Sequence, residues 1–391
     1  MRPWLPFEGS RGCWYGQKSQ CTFCGLHEIM EFRAWEAGAV IAELERLYDR
    51  YGIGRFYAMD LILPRDYLRT LLPEVARQGR GWVFFWEIKA NVRREELETL
   101  ASAGVRWVQP GIESLDADLL RLMRKGVSPL QNLQLLKWSR ELGIFCGWNL
   151  LFGLPGETAD SYRRMAEMIP NLHHLEPPSG GGSFQLHRFS PYFDHAEEYG
   201  IRWTGAHPMF RYAFPVPKAD LDELVYLHEF ELVSGAPVDS SPTEAAVAAW
   251  RQAHRRGAAL WLEERADGSG RIADTRHAGP PGRVHELDPH ETALYRFLDN
   301  GAKETQVEAA FRGAHPEEAA ALDRRGGIAA RVEQWLRDGL ALAVDGRILA
   351  IATHAARRKT NPPPPRPSET LDAGPWVSPR EKKPVPQTHP H

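Results

Sequence analysis

From the first residues to about Tyr192 the chain alternates short apolar runs with stretches of helical period, and this alternation narrows the folds open to it. Strand-like runs occur at Leu5 to Glu8, Arg55 to Met59, Trp82 to Ile88, Val105 to Gln109, Ile144 to Phe152 and Ser183 to Phe189. Between them Val40, Ile41, Leu44, Leu47 and Tyr48 recur at helical spacing, as do Leu97, Leu100 and Ala101, and Pro129 to Leu142 repeats the pattern. Ala103-Gly104 and Leu142-Gly143 read as helix stops just before the next strand. Strands joined by helices imply an α/β fold with a parallel sheet, and right-handed crossovers roll it toward a partial (β/α)6 barrel. In such an array the loops after the strand ends carry the chemistry.

Residues 1–215 are therefore expected to form a core barrel. Residues 216–287 read as an extension: a helical stretch from Lys218 to about Arg256, then LWLEERADGSGRIADTR as a hairpin turning at Asp267-Gly268. Residues 288–353 pair helix-like HETALYRFLDN and IAARVEQWLRDG with two strands around Asp345-Gly346, the plan of a winged helix. Residues 354–391, with the run Pro362 to Pro365, form a tail expected to be disordered.

Charge excludes some partners. With 48 basic against 51 acidic side chains, net −3, there is no excess of cations with which to neutralise a phosphate backbone, so no nucleic-acid partner is expected. No apolar run approaches the roughly 20 residues of a spanning helix, and MRPWLPFEGSRGC lacks the plan of a signal peptide, so neither a membrane nor an export route is expected. Of the 4 cysteines, Cys13, Cys21 and Cys24 crowd one short segment. That pattern suits a metal or redox site in a reducing cytoplasm rather than a disulfide framework. Cys146, alone in an apolar run, reads as a buried small residue.

The segment Cys13-WYGQKSQ-Cys21-TF-Cys24 follows the first strand, at the chemical end of the barrel. Three thiolates on one loop can hold three irons of a [4Fe–4S] cluster and leave the fourth iron to a non-protein ligand such as S-adenosylmethionine (SAM). The competing assignment is zinc on Cys13, Cys21, Cys24 and His27. Position favours the cluster, as does Phe23, an aromatic beside the last cysteine whose ring could pack against adenine.

The string RGCWYGQKSQCTFCGL, with EIKAN, QPGIESL, RLMRKGV, WNLLFGLPGE and RFSPYF, resembles the radical SAM superfamily, and within it the maturases of ribosomally made peptides and their relatives, the cobalamin-dependent C-methyltransferases. The resemblance covers about residues 4 to 215. Its gaps of seven and two residues between cysteines depart from the commoner three and two, as this maturase group does. It implies reductive cleavage of SAM to a 5′-deoxyadenosyl radical, a precursor peptide (leader and core) as substrate, and a low-potential donor such as flavodoxin or ferredoxin. It also implies cobalamin, although the twelve residues before Cys13 cannot form a domain of about 100 residues. An upstream domain or another chain would then supply it. The alternative is cobalamin-free epimerisation, crosslinking or dehydrogenation.

Alternation places Glu87, Lys89 and Asn91 on one face of the third strand, lining the mouth. The resemblance gives Lys89 the methionine carboxylate and Glu87 or Asn91 a ribose hydroxyl or the amino group; an internal Glu87–Lys89 salt bridge is the competing reading. Asp60 stands where related chains receive the methionine ammonium, and Gln109, Glu113 and Ser114 where they bind ribose, Glu113 and Ser114 reading also as the start of the next helix with Ser114 as its N-cap. Gly153 and Gly156 in GLPGE let backbone approach the cofactor closely. His187 is a candidate for nucleoside contact or proton transfer, with an ordinary hydrogen-bonded histidine as the rival. No residue stands out as catalytic. The winged-helix-like unit could read the leader peptide or serve as a structural cap.

Overall fold

The computed structural model describes residues 3–26, 31–233, 238–277 and 282–354; His27 and the proline-rich tail lie outside the described residues. Leu5–Phe7, Arg55–Ala58, Val83–Lys89, Val105–Gly111 and Phe145–Cys146 form a 5-stranded parallel sheet in chain order. Asn149–Phe152 and Gly180–Ser183 make a separate parallel pair, joined to the first sheet by a bridge between Glu113 and Leu150. Among the described residues these strands form an open arc and not a closed barrel. The fifth apolar run is broken at Gly147, where an added Cβ would lie 3.0 Å from the Trp107 indole nitrogen.

The sixth strand corrects the sequence reading. It falls on Gly180–Ser183, upstream of the expected Ser183 to Phe189, because three glycines carry no side-chain alternation by which a strand can be recognised. Leu186–His187 pairs instead, antiparallel, with Leu227–Leu232, which in turn pairs with Ile201–Ala206. The stretch from Lys218 is accordingly not one helix: Lys218–Leu224 is followed by that strand and then by the helix Ser241–Arg255. The run LHEFEL sets His228 and Glu229 side by side and so carries no clean strand period, and its pairing is decided by the neighbouring strands.

Phe56, Phe84 and Trp86 face outward onto the helices Ala37–Tyr51, Leu71–Gln78 and Arg94–Ser102, which answer with buried stripes such as Val40 and Leu44, or Leu97 and Leu100. The helix Pro129–Leu142 is different. Ser128 caps it in a capping box with Gln131, Gly143 ends it at φ +69°, and it is buried almost all round. Its outer face is covered by a C-terminal unit: helices Pro289–Phe297, Val307–Ala314, Pro316–Asp323 and Ile328–Arg337 with a 3-stranded sheet of Ala302–Lys303, Arg347–Ala350 and Ala341–Val344. The hairpin turns at Asp345 (φ +53°) and Gly346 (φ +66°), the pair of left-handed residues that a two-residue turn needs. Leu130 N donates to Asp345 Oδ2 at 3.1 Å, and one apolar core runs from Phe7 to Ala352.

The contact between the two parts is ionic as well as apolar. Lys137, 1% exposed, pairs with Asp299 and donates to Ala350 O at 2.6 Å; Arg94 lies 2.6 Å from Glu141 and 3.4 Å from Asp299; and His354 N donates to Glu141 at 3.0 Å. Burial opposes the charge on Asp299, but Lys137 outweighs it and holds the carboxyl below its ordinary value. Replacing one partner of such a pair strands the other. Lys137→Met is therefore expected to cost about 3 kcal/mol, read as a lowered urea midpoint at unchanged slope.

Candidate functional site

The cysteine loop leaves the first strand through Gly9 and Ser10, and a buried carboxylate sets its exit. Asp60 Oδ1 accepts Gly9 N at 2.7 Å and Ser10 N at 2.8 Å, while Oδ2 accepts Trp86 Nε1 at 2.9 Å. A Cβ on Gly9 would lie 2.9 Å from Asp60 Oδ2, so this approach requires glycine. Asp60 is 1% exposed, and burial raises its pKa despite these donors. The sequence reading gave it the methionine ammonium; the structure gives it the loop, because the backbone N–H groups of a tight exit need an acceptor that the sheet cannot provide.

Beyond Gly12, Cys13 caps the short helix Trp14–Lys18, its Sγ accepting Gly16 N at 3.3 Å. The far end of the loop is tied to the turn after the helix Ala117–Leu122. Thr22, fully buried, donates from N to Met123 O at 3.1 Å and from Oγ1 to Leu122 O at 3.0 Å. Tyr15 OH donates to Arg124 O at 2.9 Å. This same turn delivers Lys125, which lies 3.1 Å from Glu113 Oε1 and 5.5 Å over the Phe23 ring. Lys89 Nζ donates to Lys125 O at 2.5 Å and sits 3.4 Å over the Tyr15 ring.

Two largely buried ammonium groups thus stand beside three thiols with one carboxylate between them. Burial pushes the thiols of Cys21 and Cys24 up, and Lys125 pulls both back. Burial, with Lys125 behind it, takes Lys89 down to about 8. Burial also opposes the charge on Lys125, but Glu113 and the thiols outweigh it and hold this lysine above its ordinary value. The competing reading, a Glu87–Lys89 salt bridge, is absent among the described residues; the carboxylate that reaches a lysine here is Glu113, on Lys125. Glu113 is held at φ +59°, a costly conformation for a residue with a side chain, and its carbonyl accepts Leu151 N at 3.0 Å.

The other expected residues divide. Asn91 follows the strand of Lys89, half-buried, ahead of the helix Arg94–Ser102. Gly153 (φ +75°) and Gly156 (φ +82°) form a turn closed by Glu157, which accepts Leu154 N at 2.7 Å and the Tyr162 hydroxyl. Ser114 is neither an exposed ligand nor an N-cap: it is fully buried, its Oγ accepts Asp116 N at 3.1 Å, and Asp116 caps the helix. His187 belongs to the antiparallel sheet rather than to the parallel arc, its ring tilted against that of Tyr226 at 4.8 Å. Burial lowers its pKa. Lys125, Tyr15 and Thr22 were not singled out from the sequence, although RLMRKGV contains Lys125 and its glycine.

Three thiols on one loop, backed by the ammonium groups of Lys89 and Lys125, are a donor set that suits a [4Fe–4S] cluster, whose irons each take one thiolate.

Residues 7–169 match the family model described as Radical SAM superfamily. This segment is a radical SAM domain, and such a domain implies a [4Fe–4S] cluster and SAM. An uncharacterized methyltransferase of Pyrococcus horikoshii is 25% identical over 168 residues, covering 42% of this chain and 36% of that protein. Cytidylyl-2-hydroxyethylphosphonate methyltransferase of Streptomyces wedmorensis is 26% identical over 177 residues, covering 43% and 32%. The chain matches about a third of the length of these curated relatives. Among solved structures, the radical S-adenosylmethionine methyltransferase TsrM of Kitasatospora setae is similar at 18% identity and a TM-score of 0.47, over 65% of this chain and 53% of that one.

Two outcomes test the geometry. Gly126 has φ +62°, and a Cβ there would fall 2.1 Å from the Tyr15 oxygen. Gly126→Ala is therefore expected to displace the helix after Cys13 and lower the iron bound per chain several-fold, measured after anaerobic reconstitution. Glu87 is pushed up to about 7 by burial and then by Glu113. Its folded value lies above its ordinary 4.5, so ionisation costs stability, a cost absent below about 4.5 and complete above about 7. Glu87→Gln is expected to be more stable than the parent by about 2 kcal/mol at alkaline pH, the gap closing as pH falls through that window in urea melts.

Proposed function

We propose that the chain is a radical SAM enzyme of the methyltransferase lineage acting on a ribosomally made peptide. The observation that carries the cofactor half of this reading is the cysteine trio on the loop after the first strand, faced by Lys89 and Lys125. Cys13, Cys21 and Cys24 would hold the [4Fe–4S] cluster. When bound, the cluster and SAM supply a low-potential electron and a cleavable carbon–sulfur bond, from which a carbon-centred oxidant for the substrate is made.

The chain's own residues bind and orient. Lys89, largely buried, offers its charge to the methionine carboxylate, and Asn91 and Glu113 offer polar groups to the amino group or ribose. Phe23 offers a ring to adenine, and Gly153 and Gly156 leave the backbone open to close approach. Lys125 neutralises the thiolates from behind. Exclusion of water falls to the aromatic segment around Tyr192, whose N donates to Thr22 O at 3.0 Å.

The motif resemblance supports the peptide substrate, and a flavodoxin or ferredoxin supplies the electron in this reading. Cobalamin belongs to the lineage and would come from a further domain or another chain. The C-terminal unit from residue 288 is assigned to the leader peptide. A cytoplasmic setting follows from oxygen-sensitive chemistry; among the described residues no helix is long and apolar enough to cross a membrane.

Anaerobically reconstituted protein is expected to be brown and to release 5′-deoxyadenosine under reduction, and Cys21→Ala is expected to abolish both. A colourless protein carrying one zinc per chain would overturn the reading. Methyl transfer to peptide that proceeds undiminished without cobalamin would remove the lineage while leaving the cluster.

A further inference from the structure

Below the mouth, the inner face of the parallel arc carries a layer of side chains that cofactor binding does not use. Register pairs Tyr57 with Phe85, Phe85 with Trp107 and Trp107 with Phe145, so four adjacent strands present aromatic rings at one level. Tyr57 and Phe85 stack at 4.1 Å, Phe85 and Trp107 meet at 4.6 Å, and Trp107 lies 6.3 Å from Phe145. These rings are not part of the main apolar core, to which Phe56, Phe84 and Trp86 on the opposite face belong.

One step up each strand, about 6.6 Å at the usual rise, Glu87 stands opposite Gln109; a further step brings Lys89 opposite Gly111. Gln109 is exposed although its strand has a neighbour on either side, and Asn149 is exposed at the start of the next pair. Tyr57, Glu87, Trp107 and Phe145 are each partly exposed. A central strand can expose such residues only where the concave face is open, so solvent reaches a hollow with a ring-lined floor, a polar middle and the lysine-bearing mouth above. Tyr57, Trp107 and Phe145, left partly accessible with Phe85 buried among them, are an apolar surface that soluble proteins ordinarily cover.

We propose that this hollow holds the acceptor, and that it takes a flat apolar ring laid on the Tyr57–Phe85–Trp107–Phe145 floor and carrying a hydrogen-bond donor or cation that Glu87 accepts. The inference rests on the cofactor reading of the mouth and adds the chemical class of the group acted upon. Rigid aromatic floors favour planar partners through offset and edge contacts, which a flexible aliphatic chain cannot make. Glu87 is the acidic member of the middle layer, one step below Lys89, and its half-buried carboxylate faces the hollow as a hydrogen-bond acceptor. In a peptide, an indole or phenol side chain meets both demands.

Ligand-observed NMR and calorimetry on the full-length, anaerobically reconstituted chain test this with tryptamine, indole and hexylamine as probes. Tryptamine is expected to bind at least ten-fold more tightly than hexylamine. Glu87→Gln should weaken tryptamine several-fold and leave indole unchanged, and Gln109→Trp, which fills the hollow from an exposed position, should abolish binding of both. Circular dichroism and thermal melting report that each variant is folded. Equal affinity for tryptamine and hexylamine, or ring binding indifferent to Gln109→Trp, would overturn the proposal even if SAM is cleaved. Ring-selective binding in a protein that never cleaves SAM would uphold the ring-binding hollow and overturn the cofactor reading above it.

Discussion

Positive charge buried without enough negative charge to match it organises the mouth of this protein. Lys125 has Glu113 as its near carboxylate while Lys89, among the described residues, reaches only the Lys125 carbonyl and the Tyr15 ring, and desolvation of an ammonium is expensive unless anions return the energy. Three thiols stand where those anions are needed. In the proposed reading, loading a cluster would convert them from neutral groups, which burial favours, into thiolates, which the lysines favour, so metal capture and charge compensation would be one event.

That arrangement depends on geometry imposed at both ends of the cysteine loop. Asp60 and the Tyr67 hydroxyl, which donates to Gly9 O at 2.7 Å, define the exit from the first strand, and Thr22 ties the return to the turn that carries Lys125. The same turn runs into the helix Pro129–Leu142, whose first residues meet the C-terminal hairpin at Asp345 and whose middle pairs with Asp299 through Lys137. The C-terminal unit is therefore mechanically continuous with the lysine beside the cysteine loop. Its removal would uncover a helix that is buried nearly all round.

Much of the site was legible because its residues are chemically conspicuous and locally spaced. Three cysteines close in sequence, and Lys89 alternating with Glu87 and Asn91 on a strand, need no tertiary information to be read as a group. Ser114 was misread because a serine two residues ahead of Asp116 looks like a cap until the backbone shows which of them faces the helix end. Lys125 escaped because a lysine at the end of an amphipathic helix ordinarily points to water; only the return of the cysteine loop onto Met123 and Leu122 buries it. The glycine strand 180–183 escaped because strand recognition relies on side chains, and its pairing is made by backbone alone.

What the sequence determined by itself is the order of β and α units, the loop on which thiols gather, and the helix stops and turns that glycine and the capping residues dictate, since these follow from local periodicity and covalent spacing. What the tertiary structure alone decided is the partnership of groups distant in the chain: Asp60 with the Gly9 amide, Lys89 with the Lys125 carbonyl, and the aromatic floor across four strands. Register between parallel strands is set only when helices and sheet pack together. Two residues that share a level in the arc carry no mark of it in the linear order.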